Sequence, residues 1–145
     1  MSATTGSNGA DASGAAAIDV AERLFTAIGA GDLDVVEALL DPDVRVWTNF
    51  DDRTVDRARA LRTIGWLATT FSGLRYDVVD RFATADGFVQ RHVLRGTAPN
   101  GTEVAMPACI LAEVLVDEDA AGATSARVTS MVEYLDPAPL MASLA

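Results

Sequence analysis

Ala27-Ile28-Gly29-Ala30-Gly31-Asp32-Leu33-Asp34 marks the place where one helix ends and another begins. Gly29-Ala30-Gly31 supplies the glycines that terminate a helix, and Asp32 has the side chain that caps the N-terminus of the next. Upstream, Ile18, Ala21, Leu24, Phe25 and Ile28 recur at helical spacing, with Asp11 or Ser13 as the cap. Downstream, Leu33, Val36, Leu39 and Leu40 form the apolar stripe of a short second helix, which Asp41-Pro42-Asp43 stops.

Beyond that pair the pattern becomes mostly alternating. Val44-Arg45-Val46-Trp47-Thr48-Asn49 reads as a first strand, followed by a polar turn at Asp51-Asp52-Arg53. Asp56 caps a third helix whose stripe is Leu61, Ile64, Gly65, Ala68 and Phe71, closed by Ser72-Gly73. Strands are then expected over Leu74 to Ala83, Phe88 to Thr97, Glu103 to Val116 and Arg127 to Leu135. Ala85-Asp86-Gly87 and Pro99-Asn100-Gly101 are hairpin turns, and Asp117 to Ser125 is an acidic loop. Pro137 to Leu144 suits a short terminal helix. Helices first and a meander of strands after them predict an α+β domain, with helices on one face of an antiparallel sheet. Residues 15–145 are assigned to this domain. Met1 to Gly14, rich in Ser, Thr, Gly and Ala, is expected to be a disordered tail.

Composition narrows the function. Half of the 145 residues are hydrophobic, enough for a core without staples. The net charge of −10, with scattered arginines, argues against nucleic acid and against an anionic membrane surface. One cysteine and one histidine exclude an intramolecular disulfide and a zinc cluster. Cys109 lies in the apolar run Ala108-Cys109-Ile110-Leu111 and reads as a small buried hydrophobe. No apolar stretch is long enough to span a membrane, and the N-terminus lacks the pattern of a signal peptide, so the cytoplasm is the expected compartment. No cofactor and no metal are expected; Asp51, Asp52 and Asp56 read as a solvated turn and a helix cap.

The stretch from Ala27 to Asp34, the third helix, the Asp86-Gly87 hairpin and the closing Val132-Glu133-Tyr134-Leu135-Asp136 resemble, in order and spacing, proteins of the nuclear-transport-factor-2-like superfamily. The resemblance covers about residues 15 to 140. It implies a cone-shaped, curved mixed or antiparallel sheet around three N-terminal helices, enclosing one pocket. Three branches bear on chemistry. Ketosteroid isomerases carry a Tyr donor on the first helix, an acid on a middle strand and an Asp base ending the first strand. Here those places hold Leu24, the run Met106-Pro107-Ala108-Cys109-Ile110, and Trp47-Thr48-Asn49. In limonene-epoxide-hydrolase-like proteins the central strand resembles Val93-Leu94-Arg95, the water site resembles Trp47-Thr48-Asn49 and the last-strand acid resembles Glu133. Gln90 and His92 stand where that branch has Arg and Asp. The SnoaL-like polyketide cyclases, with a central-strand His and an acid as proton-transfer groups, are similar at His92.

These matches single out His92 and Glu133 as catalytic candidates. His92 is the single histidine, the side chain type whose ordinary pKa lies between about 5 and 8, and Glu133 sits in an apolar strand that raises a carboxyl pKa. By analogy with the hydrolase strand, Gln90, His92 and Leu94 face the pocket. Structural roles, including a dimer interface for His92 and a solvated face for Glu133, stay open. Trp47, Asn49, Gln90, Trp66, Phe71, Met106, Ala108 and Met131 are candidates for substrate binding, with a strand-end turn role as the alternative for Asn49, an outward face for Gln90 and core packing for the rest. The expected function is acid–base catalysis on a small, largely apolar molecule: isomerisation, cyclisation or hydrolysis of a terpenoid, steroid or polyketide-like substrate. A non-catalytic ligand-binding or dimerisation module of the same fold is the alternative. Either is expected to be a homodimer through the outer sheet face.

Overall fold

The structure is a computed structural model describing residues 4–145, with side chains from residue 12 onward. Helix α1 spans Thr4–Ala30, so it begins well before the expected cap. Asp11 and Ser13 lie within it, and of the expected tail only residues 1–3 fall outside the described residues. Ala-rich sequence carries the helix back past Ile18, since alanine has the best helix propensity. Gly31 ends α1 with φ +68. Its N–H donates to Ile28 O and that of Asp32 to Ala27 O, the paired bonds of a Schellman motif. Asp32 then caps α2, Leu33–Leu39, accepting from Val35 N.

Strand β1, Leu40–Thr48, starts earlier than expected, and Asp41-Pro42-Asp43 sits inside it at an irregularity between Leu40 and Arg45. Proline removes a ladder donor, which confines it to edges and bulges. A short strand absent from the sequence reading, β2 (Arg53–Val55), pairs back onto β1. The turn between them places Asp52 at φ 52. Helix α3, Arg57–Thr70, is capped by Asp56 as expected. The meander β3 (Ser72–Ala83), β4 (Gly87–Thr97), β5 (Glu103–Glu118) and β6 (Thr124–Leu135) follows, then α4 (Ala138–Ser143). The strands of β5 and β6 extend into the loop expected at 117–125, leaving a turn between them.

The six strands form one open, curved sheet in the order β2-β1-β6-β5-β4-β3. It is mixed, because β1 runs parallel to β6 while the other pairs are antiparallel. Helix α1 packs across the inner face, chiefly on β3 and β4. It buries Val20, Ala21, Leu24, Phe25 and Ile28 against Phe88, Leu94, Met106 and Ile110. Each large apolar side chain withdrawn from water contributes about 1.5–3 kcal/mol, so this one interface anchors the helix to the sheet. No described helix is long and apolar enough to cross a membrane.

Candidate active site

Alternation along β4 sends Phe88, Gln90, His92 and Leu94 to the inner face, and all four are buried. On β6 the inner phase is Met131, Glu133 and Leu135. Strand β5 lies between them, with Ala108 opposite His92 and Ile110 opposite Glu133. The two long side chains lean toward each other across β5, bringing His92 Nε2 to 3.9 Å from Glu133 Oε2. That is too long for a direct hydrogen bond, yet short enough for one oxygen atom to touch both groups at about 2.8 Å.

His92 is held from three sides. Gln90 Nε2 lies 2.8 Å from His92 Nδ1. Gln90 Oε1 accepts from Arg81 Nε at 2.6 Å, and Arg81 Nη1 donates to Glu22 Oε2 at 2.6 Å. The rings of Phe25 and Tyr76 stand 5.5 Å and 4.8 Å from the imidazole. Nε2 is buried with no hydrogen-bond partner.

This enclosure sets the charges. Burial, and then the positive charge of Arg81, lowers the His92 pKa to about 4, so the imidazole is neutral at physiological pH. Burial raises the Glu133 carboxyl to about 7. Burial, then the charge of Glu133, also raises the Tyr76 hydroxyl. Access is uneven: the Glu133 side chain keeps 22% of its surface exposed and that of His92 only 1%. The solvent-accessible part of the pair is therefore the Glu133 carboxyl. The arrangement offers a carboxylate poised to gain or lose a proton near pH 7 beside a neutral imidazole.

The other candidates divide. Met106, Ala108 and Phe71 are buried on the inner face or in the core, and Met131 packs partly buried against that core. Gln90 belongs to the site through His92. Three lie away from the His92–Glu133 pair. Trp47 occupies the outer phase of β1, where its Nε1 donates to Asp52 Oδ1 and its ring meets Tyr134 edge-on at 5.2 Å. Its neighbours Val44 and Val46 take the inner phase, which forces Trp47 outward. Asn49 clamps the backbone of β6, donating to Leu135 O and accepting from Leu135 N. Trp66 is 45% exposed on α3, packed edge-on against Phe71. Tyr76, Arg81 and Glu22 belong to the site and were not among the candidates. A register shift between Val78 and Asp80 explains Arg81, since strict alternation from Tyr76 points Asp80 inward instead.

Two surface concavities lie apart from the pair. A concavity of about 520 Å³ is bordered by Ser13, Thr84, Glu113 and Val116, and one of about 390 Å³ by Arg45, Trp47, Thr54 and Tyr134. Neither is lined by His92 or Glu133. Among the described residues no cluster of His, Cys, Asp and Glu is placed to hold a metal.

The profile of the SnoaL-like domain family matches residues 21–122. Among solved structures, IdmH of Streptomyces antibioticus, a candidate polyketide cyclase, is 21% identical, with 88% of this chain and 97% of that one covered at a TM-score of 0.71. AclR of Streptomyces galilaeus, a candidate hydroxylase, is 19% identical over 90% of this chain and 81% of its own, at 0.74. An LEH-like epoxide hydrolase of M. tuberculosis is 17% identical over 90% of each chain, at 0.67. At these identities the likeness is one of fold. No curated protein matches the sequence.

Proposed function

We propose that this chain, which belongs to the SnoaL-like family, is a cofactor-free proton-transfer enzyme acting on a small, largely apolar carbonyl compound of terpenoid, steroid or polyketide type. The observation that carries this reading is the inward-facing pair, His92 Nε2 and Glu133 Oε2 at 3.9 Å, in apolar surroundings. Glu133, as carboxylate, takes a proton from the carbon beside the carbonyl. The electron pair moves to the carbonyl oxygen, which lies against His92 Nε2. The Glu133 carboxylic acid then returns the proton to carbon or oxygen. According to where the carbanion equivalent reacts, the outcome is a shifted double bond or a closed ring. The related cyclase and epoxide hydrolase structures lend support as kindred uses of the fold.

The test is turnover of enones, polyketide-like ketones and epoxides. His92→Ala and Glu133→Gln are expected to lower kcat by about 10²–10⁴-fold, the usual worth of a positioned acid–base group. Because Glu133 must be ionised to act as the base, kcat should rise with pH through about 7 and then level. Turnover unchanged in both variants contradicts the proposal. One observation favours a second reading, a non-catalytic ligand-binding or dimerisation module: His92 Nε2 is buried without a hydrogen-bond partner, and two open concavities lie away from it.

In either reading we propose a homodimer through the outer sheet face, in a reducing compartment such as the cytoplasm. Trp47, Val132, Leu111 and Val89 form one register row across β1, β6, β5 and β4 on that face. Leu111 is 45% exposed and the adjacent Tyr134 52%, an apolar strip of the kind that marks an interface. Sedimentation at micromolar concentration should give a dimer that Leu111→Glu converts to monomer. A monomeric parent protein refutes it.

A further inference from the structure

We infer that Arg81 and Gln90 form a tautomer clamp: Arg81 turns the Gln90 amide so that its nitrogen meets His92 Nδ1, and this places the His92 proton on Nε2, the atom facing Glu133. Donors and acceptors fix the amide orientation. Arginine Nε–H donates and cannot accept, so the Gln90 atom 2.6 Å from it is the carbonyl oxygen. The amide nitrogen is then the atom 2.8 Å from His92 Nδ1. That nitrogen is a donor, so Nδ1 must accept and carries no proton. A neutral imidazole has one N–H, which is left for Nε2. The flipped amide would set donor against donor at Arg81 and leave its Nε–H without an acceptor. Glu22 fixes the far end of Arg81 at 2.6 Å.

The consequence, which rests on the proton-transfer reading above, is a division of labour. His92 has no lone pair facing the substrate and acts as a hydrogen-bond donor to its developing oxyanion. The buried, unpartnered Nε2–H is that donor. The base is Glu133 alone. Gln90 and Arg81 touch neither substrate nor proton in flight and are positioning residues.

Heteronuclear NMR of the imidazole nitrogens tests the clamp without any substrate, and the single histidine assigns itself. At neutral pH the native protein is expected to show a protonated, pyrrole-like Nε2 and a pyridine-like Nδ1. Gln90→Glu, nearly identical in shape, offers a carboxylate oxygen in place of the amide nitrogen and should move the proton to Nδ1. Arg81→Met frees the amide to flip and should give a mixture of tautomers. A proton on Nδ1 in the native protein overturns the clamp. An unchanged tautomer in either variant overturns the part assigned to that residue. Should Arg81→Met fail to fold, Gln90→Glu decides alone. With a substrate in hand, Gln90→Glu should lower kcat by about 10²–10³-fold, as loss of an oxyanion donor does, with KM little changed. The spectra and the turnover assay fail independently: a clamp seen in a protein whose turnover ignores Glu133 leaves this inference standing and removes the proposed function.

Discussion

Glu133→Gln is expected to be more stable than the native protein by about 3 kcal/mol at about pH 8, and nearly equal to it at pH 4.5. In the folded chain the Glu133 carboxyl titrates near 7, against 4.5 when unfolded. A group raised in this way favours the folded state fully below its unfolded value, and that contribution disappears as pH rises through its folded value. Between those limits unfolding releases a proton, and the span corresponds to about 3 kcal/mol at 1.36 kcal/mol per pH unit. Glutamine carries no charge to desolvate, so it escapes the cost. His92 acts with the opposite sign. Its pKa of about 4 lies below the ordinary 6.5, so its contribution is present above 6.5 and is lost as pH falls through about 4. The two slopes nearly cancel between 4.5 and 6.5, which makes the single variant the informative one. Urea unfolding at both pH values checks it. Equal stabilities at the higher pH would mean that Glu133 is ionised there without penalty. The same variant should lose turnover, the pattern of a residue kept for chemistry at the expense of stability.

Gly87→Ala should destabilise the fold by more than about 3 kcal/mol, the upper range for overpacking. Gly87 opens β4 opposite Glu113 of β5. A Cβ added there would stand 1.9 Å from Ala112 O, 2.8 Å from Ala112 C and 2.9 Å from Glu113 Cα. All three are backbone atoms, so no rotamer change relieves the clash and the strands must part. The hairpin on either side resists that, with Val114 N donating to Asp86 O and Gly87 N to the Thr84 hydroxyl. Gly101→Ala is the control. It has φ +87 and nothing within 4 Å of the added Cβ. Only the left-handed backbone penalty of about 1–2 kcal/mol applies there. Thermal or urea denaturation of the two side by side separates steric exclusion from backbone preference. Similar losses in both would contradict the close approach of β4 and β5 at Gly87.

Much of the fold was legible because its signals are local. Gly31 and Asp32 mark a helix end and a helix cap, and glycine turns mark two of the hairpins, so the order of the long elements follows from the chain itself. The short strand β2 lacked such a signal: Arg53-Thr54-Val55 is polar and pairs only as an edge. The site was legible where alternation is regular. Gln90, His92 and Leu94 share a face as their spacing requires, and Glu133 reaches the same face from β6. It was illegible where the register breaks. Arg81 comes to Gln90 through an irregularity in β3 that no residue type announces. Trp47 and Asn49 were assigned inward by resemblance, whereas the alternation of Val44 and Val46 already pointed Trp47 outward.

Whether Glu133 is an elevated-pKa base beside a neutral His92 is read from a carbon-detected NMR titration of the Glu133 carboxyl in the native protein. A midpoint near 7 is expected. A midpoint at or below 4.5, the ordinary value, would contradict it and leave the inner-face pair as packing rather than chemistry.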